Sequence, residues 1–105
     1  MIARIWHGWT TFQNATAYEN LLKNEVFPTI EKNKIPGYRK ISLLKRPQEY
    51  EVEFITIMIF DDLTAVKQFA GEEYEKSYVP ENARKILSCH DETSQHYEII
   101  EERVY

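Results

Sequence analysis

The chain has 105 residues, 43% of them hydrophobic and 29% charged, with a net charge of −4 and a pI near 5.4. That is the size of one globular domain, and its acidic balance argues against nucleic acid or an anionic membrane as the main partner. A single Cys excludes an internal disulfide, Met1 to Trp9 lacks the apolar core of a signal peptide, and no apolar run approaches the ~20 residues that span a bilayer; the expectation is a soluble, cytoplasmic, single-domain protein over residues 1–105.

Ile2 to Trp9 reads as a first strand, and Thr10 to Asn14 as a polar loop. Thr16-Ala17-Tyr18-Glu19 fits a capping box, in which the Thr hydroxyl and the Glu carboxylate each satisfy an orphan backbone N–H. Tyr18, Leu21, Leu22 and Val26 then recur at helical spacing as one apolar stripe. Pro28 disfavours helical geometry at Phe27, which predicts an end or a kink there, and Thr29 to Lys34 as a short resumption. Pro36-Gly37 marks a turn into a second strand, Tyr38 to Arg46, whose apolar content is Ile41, Leu43 and Leu44.

Pro47 to Tyr50 makes a hairpin loop into a third strand, Glu53 to Phe60. That strand is apolar and β-branched without alternating with polar residues, so both of its faces are expected to be buried. Asp61 or Asp62 should cap a helix with Leu63, Val66, Phe69 and Ala70 inward, ended by Gly71 in a left-handed conformation. Glu72 to Tyr78 is mixed. Pro80 suits the first turn of a short helix that turns Ala83, Ile86 and Leu87 inward. Ser88 to Ser94 reads as loop, and Gln95 to Glu101 as a fourth strand.

The order β-α-β-β-α-β, with right-handed crossovers, gives a four-stranded antiparallel sheet with both helices on one side, the ferredoxin-like α+β arrangement. Two such sheets can pack face to face and close a dimeric barrel, which accounts for the apolarity of the third strand. The first and last strands should be neighbours. If Arg4 lies opposite Glu98, Ile2 meets Ile100, Trp6 meets His96, and these residues share one face. That face is expected to turn away from the helices with Phe54, Thr56, Met58 and Phe60, while Ala3, Ile5, Tyr97 and Ile99 pack beneath them. A slip of one residue would send His7 and Trp9 there instead.

In its opening Ile2-Ala3-Arg4-Ile5-Trp6-His7-Gly8, in Phe69-Ala70-Gly71, in Tyr78-Val79-Pro80-Glu81 and in His96-Tyr97-Glu98, the chain resembles the antibiotic-biosynthesis-monooxygenase-like family of small dimeric α+β barrels. The resemblance implies a homodimer with a cavity in each subunit. Similar proteins include cofactor-independent oxygenases of aromatic polyketides and haem-degrading enzymes. The haem-degrading branch uses an Asn on the first strand, a Trp at the end of the third and a His on the second helical region. Here the first strand has no Asn, the third ends in Phe60, and no His lies between Asp61 and Leu87. Haem degradation is therefore not expected.

A cofactor-independent oxygenase needs a base to ionise an electron-rich phenolic substrate, and an apolar cavity to keep water from the intermediates. His96 and His7 are the candidate bases. Arg4, Trp6, Phe60, Tyr74 and Tyr78 are candidates for holding an aromatic substrate or its anion. All but Tyr74 and Tyr78 also have a structural reading: a hydrogen bond within a strand for the histidines, packing for Trp6, Trp9 and Phe60, an ion pair with Glu98 for Arg4. Cys89-His90-Asp91 cannot form a nucleophilic triad from adjacent loop residues. No metal-ligand spacing or phosphate loop occurs, and no metal or organic cofactor is expected. Three functions fit these residues. One is an oxygenase of a small aromatic or quinol-type compound, another a barrel isomerase or dehydratase with a His base, and the third a non-catalytic dimer that binds a small ligand.

Overall fold

A computed structural model describes all 105 residues. Strands β1 (Ile2–Thr10), β2 (Tyr38–Pro47), β3 (Val52–Phe60), β4 (Cys89–His90) and β5 (Gln95–Glu98) form one antiparallel sheet in the order β2-β3-β1-β4, with β5 beside β4 on the same edge of β1. This is the ferredoxin-like α+β arrangement expected from the element order. The last strand differs in detail. It is interrupted, because β4 pairs with Gly8 and Trp9 and β5 with Ile2 to Ile5.

The β1–β5 register lies two residues from the expected one: Arg4 faces His96, and Ile2 faces Glu98. A slip of two preserves the alternation, so the grouping of residues on each face survives while the Arg4–Glu98 pair does not. The direction of the faces is the reverse of the expectation. Val52, Phe54, Met58 and Phe60 are buried beneath the helices, and Ala3, Ile5, Ile55, Ile57 and Ile59 lie on the uncovered side, half-buried. Alternation cannot say which side is covered when both are apolar.

The helical layer begins earlier than Thr16. Helix α1 (Phe12–Leu21) is capped by Thr11, whose Oγ1 accepts from the Asn14 N–H at 3.2 Å. The expected capping box does not form, because Thr16 lies inside the helix; Glu19 pairs with Lys45 on β2 at 2.8 Å and with Lys23 at 3.5 Å. Nor does Pro28 end the helix. A π-turn over Leu22–Val26, in which the Phe27 N–H reaches back to Leu22 O, leads directly into α2 (Phe27–Lys32). Such a widened turn is one of the ways a helix accommodates a proline.

Helix α3 (Leu63–Ala70) is capped by Asp62, whose Oδ1 accepts from the Ala65 N–H at 2.9 Å, and ends at Gly71 with φ of 85°. Helix α4 (Glu81–Ile86) follows Pro80. The core has two parts. In one, Tyr18 packs on Phe54 with ring centroids 4.9 Å apart. In the other, Phe60 sits between Tyr38 and Phe69 at 5.3 and 5.8 Å. Burial pushes the Tyr38 hydroxyl up to about 12 and the Tyr18 hydroxyl higher still.

Candidate functional site

Between the two parts of the core the helices do not close fully on the sheet. The gap is a cavity whose floor is Arg4, Trp6, Ile41, Thr56 and Met58. Its roof is Tyr18, Leu22, Val26, Phe27 and Ile30 from the α1–α2 helix. Tyr78, Val79 and Pro80 form the rim, where Tyr78 is half-exposed and its ring meets Phe69 edge-on at 5.6 Å. The envelope including the open mouth is about 550 Å³, of which about 60 Å³ admits the centres of water-sized molecules. The smaller figure governs occupancy: a few waters fit as the cavity stands, and a ring-sized guest needs more room.

Twelve of the sixteen lining residues are hydrophobic, and Arg4 is the only one that is charged. Arg4 is 3% exposed. Its Nη1 donates to Tyr74 O and to His96 Nε2, the latter at 3.0 Å, and its Nη2 donates to Lys76 O at 3.2 Å. The Phe69 ring lies below the guanidinium, 5.4 Å from Cζ to centroid. Burial lowers the Arg4 pKa to about 10, which leaves it charged at neutral pH.

Trp6 is fixed from its polar edge. Nε1 donates to Ser77 Oγ and to Asp91 O, both at 2.8 Å. Gly8 makes room for the indole, since a Cβ there would stand 3.0 Å from two of its ring carbons. Arg4 and Trp6 together tie the irregular Gly71–Val79 segment to β1, through Tyr74 O, Lys76 O and Ser77 Oγ.

The candidate bases lie elsewhere. His96 does not line the cavity; Arg4 stands between them. A guanidinium N–H only donates, so Nε2 of His96 is the unprotonated nitrogen. Burial, then the Arg4 charge, lowers the His96 pKa, while Glu75 opposes the shift. His7 lies on the uncovered side of the sheet, stacked on Trp9 at 6.0 Å. Its Nδ1 is 2.8 Å from Asp91 Oδ2, which also accepts the His7 backbone N–H at 3.0 Å. The sheet separates it from the cavity.

Of the other candidates, Tyr78 is at the rim, Phe60 is fully buried away from the cavity, and Tyr74 packs its ring edge against His96 at 5.2 Å. Sequence reasoning did not find Ser77 and Asp91. Their roles depend on contacts across 71 and 84 residues of chain, and no local pattern signals them. No cluster of three His, Cys, Asp or Glu side chains is placed to hold a metal, and no helix is long and apolar enough to cross a membrane.

Fold and cavity define a class: small ferredoxin-like α+β proteins with an apolar chamber between the sheet and its helices. No protein-family model matches the chain, and no curated protein does. Among solved structures, a Bacillus cereus protein described as a candidate antibiotic biosynthesis monooxygenase is similar over 100% of this chain and 96% of its own, with a TM-score of 0.73 and 13% identity. Rv0793 from Mycobacterium tuberculosis is similar over 98% of both chains, with a TM-score of 0.62 and 16% identity. The chain thus has the fold of antibiotic-biosynthesis-monooxygenase-like structures over its whole length.

Proposed function

We propose that the chain is an oxygenase of this class that oxidises a small aromatic or quinol-type compound inside the cavity, without metal or organic cofactor, as a homodimer. The observation that carries the reading is the chamber itself: aromatic and aliphatic walls, among them Trp6, Met58 and Phe69, and one charge. An apolar enclosure favours electron transfer from an ionised substrate to O₂ and keeps water from the radical pair and the peroxide that follows. For a benzylic CH₂ flanked by phenolic rings the sequence balances. The carbanion gives one electron to O₂, the two radicals join as a peroxide, and loss of water leaves a C=O, one O₂ being consumed per H₂O released.

The isomerase and dehydratase readings need a base whose free lone pair points at the substrate. His96 has its lone pair on Arg4 and His7 is across the sheet, which leaves the isomerase and dehydratase readings without a base; an oxygenase without one has its phenol ionise to solvent instead, and ligand binding needs none. The homodimer is supported by the uncovered sheet face, where Ile55, Ile57 and Ile59 line up beside Ala3 and Ile5.

An oxygen electrode with a panel of hydroquinones and anthrones tests the proposal. Saturable uptake of one O₂ per substrate, unchanged by chelators and abolished by the cavity-filling Thr56→Phe, is expected. Ligand binding without O₂ uptake would leave the non-catalytic reading in its place.

A further inference from the structure

We propose that Arg4 makes the cavity a receptor for an anionic oxygen, so that the compound it takes is a flat aromatic bearing a phenolate or carboxylate seated on the guanidinium. The inference rests on the cavity being the ligand site, as proposed above, and adds the charge of the ligand.

Taking a guanidinium out of water is costly, and buried cations are ordinarily compensated by a carboxylate. Arg4 has none. It takes part in none of the chain's seven ion pairs, and its protein partners are two backbone carbonyls and an imidazole. All three are neutral acceptors, because the imidazole nitrogen facing a donor must be unprotonated. They hold the fork in place without cancelling its charge. The fork keeps further N–H groups to give, and Arg4 is one of the residues that line the cavity. The Phe69 ring lies against one side of the guanidinium.

A planar anion meeting that fork gains charge-assisted hydrogen bonds in a medium of low dielectric. The apolar walls would hold the ring behind it, and no other lining residue offers a charge of either sign. A weakly acidic phenol would therefore be bound preferentially as its conjugate base, its proton leaving to solvent. Ionisation by the field of Arg4 then takes the place of a carboxylate or histidine base aimed at the substrate.

The test uses the full chain with 4-nitrophenol, whose phenol and phenolate absorb at different wavelengths, against its methyl ether 4-nitroanisole, which has the same ring and cannot ionise. Wild type is expected to bind the phenolate tighter than the ether by about ten-fold or more, the scale of a hydrogen bond to a charged group. The absorbance of the bound phenol should show its apparent pKa lowered relative to buffer. Arg4→Met should lose that preference and keep the ether. Run alongside, 4-nitrobenzoate separates a carboxylate site from a phenolate site by which anion binds tighter, and either outcome supports an anion receptor. Equal binding of phenolate and ether by wild type overturns the inference and leaves the cavity reading standing, whether or not the Arg4 variant folds. Failure of both compounds to bind, or binding that Thr56→Phe does not weaken, removes the cavity reading and the inference with it.

Discussion

Arg4 and His96 bring two basic groups within 3.0 Å of each other, and the contact holds only while the imidazole is neutral. Because the folded His96 has a lowered pKa, by burial first and the Arg4 charge second, the native state binds fewer protons than the unfolded chain below the ordinary histidine value of about 6.5. Stability should therefore be unaffected above that value and decline as the pH falls through it. Urea midpoints between about pH 7.5 and 5 check this. The midpoint of wild type should drop, and that of His96→Gln, whose amide oxygen can still accept from Arg4, should stay level; parallel slopes would assign the loss to other groups. Glu19 and Asp61, held below the usual carboxylate range by Lys45 and Arg39 respectively, lose their contributions at lower pH and do not obscure the window. Sequence placed Arg4 and Trp6 on one face, because residues two apart on a strand must be. It could not show that His96 accepts from Arg4 and so points away from any substrate, since that depends on the register of a strand 92 residues distant.

Among the elements, turn and cap chemistry was legible where it is local. Asp62 and Gly71 bracket α3 as expected, and Pro36-Gly37 turns the chain into β2. Gly37 and Gly71 nevertheless do different work. Both have positive φ, 84° and 85°, but a Cβ on Gly37 would stand 2.9 Å from the Ala65 Cβ, and one on Gly71 would meet nothing within 4 Å. Gly71→Ala should cost roughly 1–3 kcal/mol of backbone strain. Gly37→Ala should cost a further ~1–3 kcal/mol for forcing β2 and α3 apart. Equal losses in chemical denaturation would rule out the packing component. The cap was misplaced because Thr11 and Thr16 are the same residue type: Thr11 caps the helix, Thr16 lies inside it, and Glu19 pairs with Lys45. The π-turn left no such local mark. Leu22, Val26 and Ile30, four apart and four again, drift by about 80° and fit one stripe of a regular α-helix.

For the molecule as a whole, the order of elements was enough to give the fold, and the composition of β3 was enough to show that both sheet faces are apolar. Which face the helices take was not written in that strand. Phe54 and Phe60 on one side and Ile55, Ile57 and Ile59 on the other are equally apolar, and the decision rests on volumes that must match Tyr18, Ile30 and Val66 across the core. The uncovered isoleucines predict self-association, since burying each stabilises by roughly 1.5–3 kcal/mol. Wild type should sediment as a dimer at micromolar concentration. Ile57→Lys should sediment as a monomer with its helical circular dichroism retained, because the α1–β3 core lies on the other side of the sheet. A folded wild-type monomer would remove the homodimer.

The π-turn at Leu22–Val26 also bears on how this chain can change over time. A π-turn stores one surplus residue without altering the phase of the helix on either side, so Tyr18 and Ile30 both point inward across it. Deleting Asn24 together with Pro28→Ala should therefore yield an ordinary helix with its anchors intact and only the Leu22–Val26 stretch of the chamber roof redrawn. Descendants of such a sequence could re-bore the chamber by gaining or losing a single codon there, leaving the sheet and its pairing untouched.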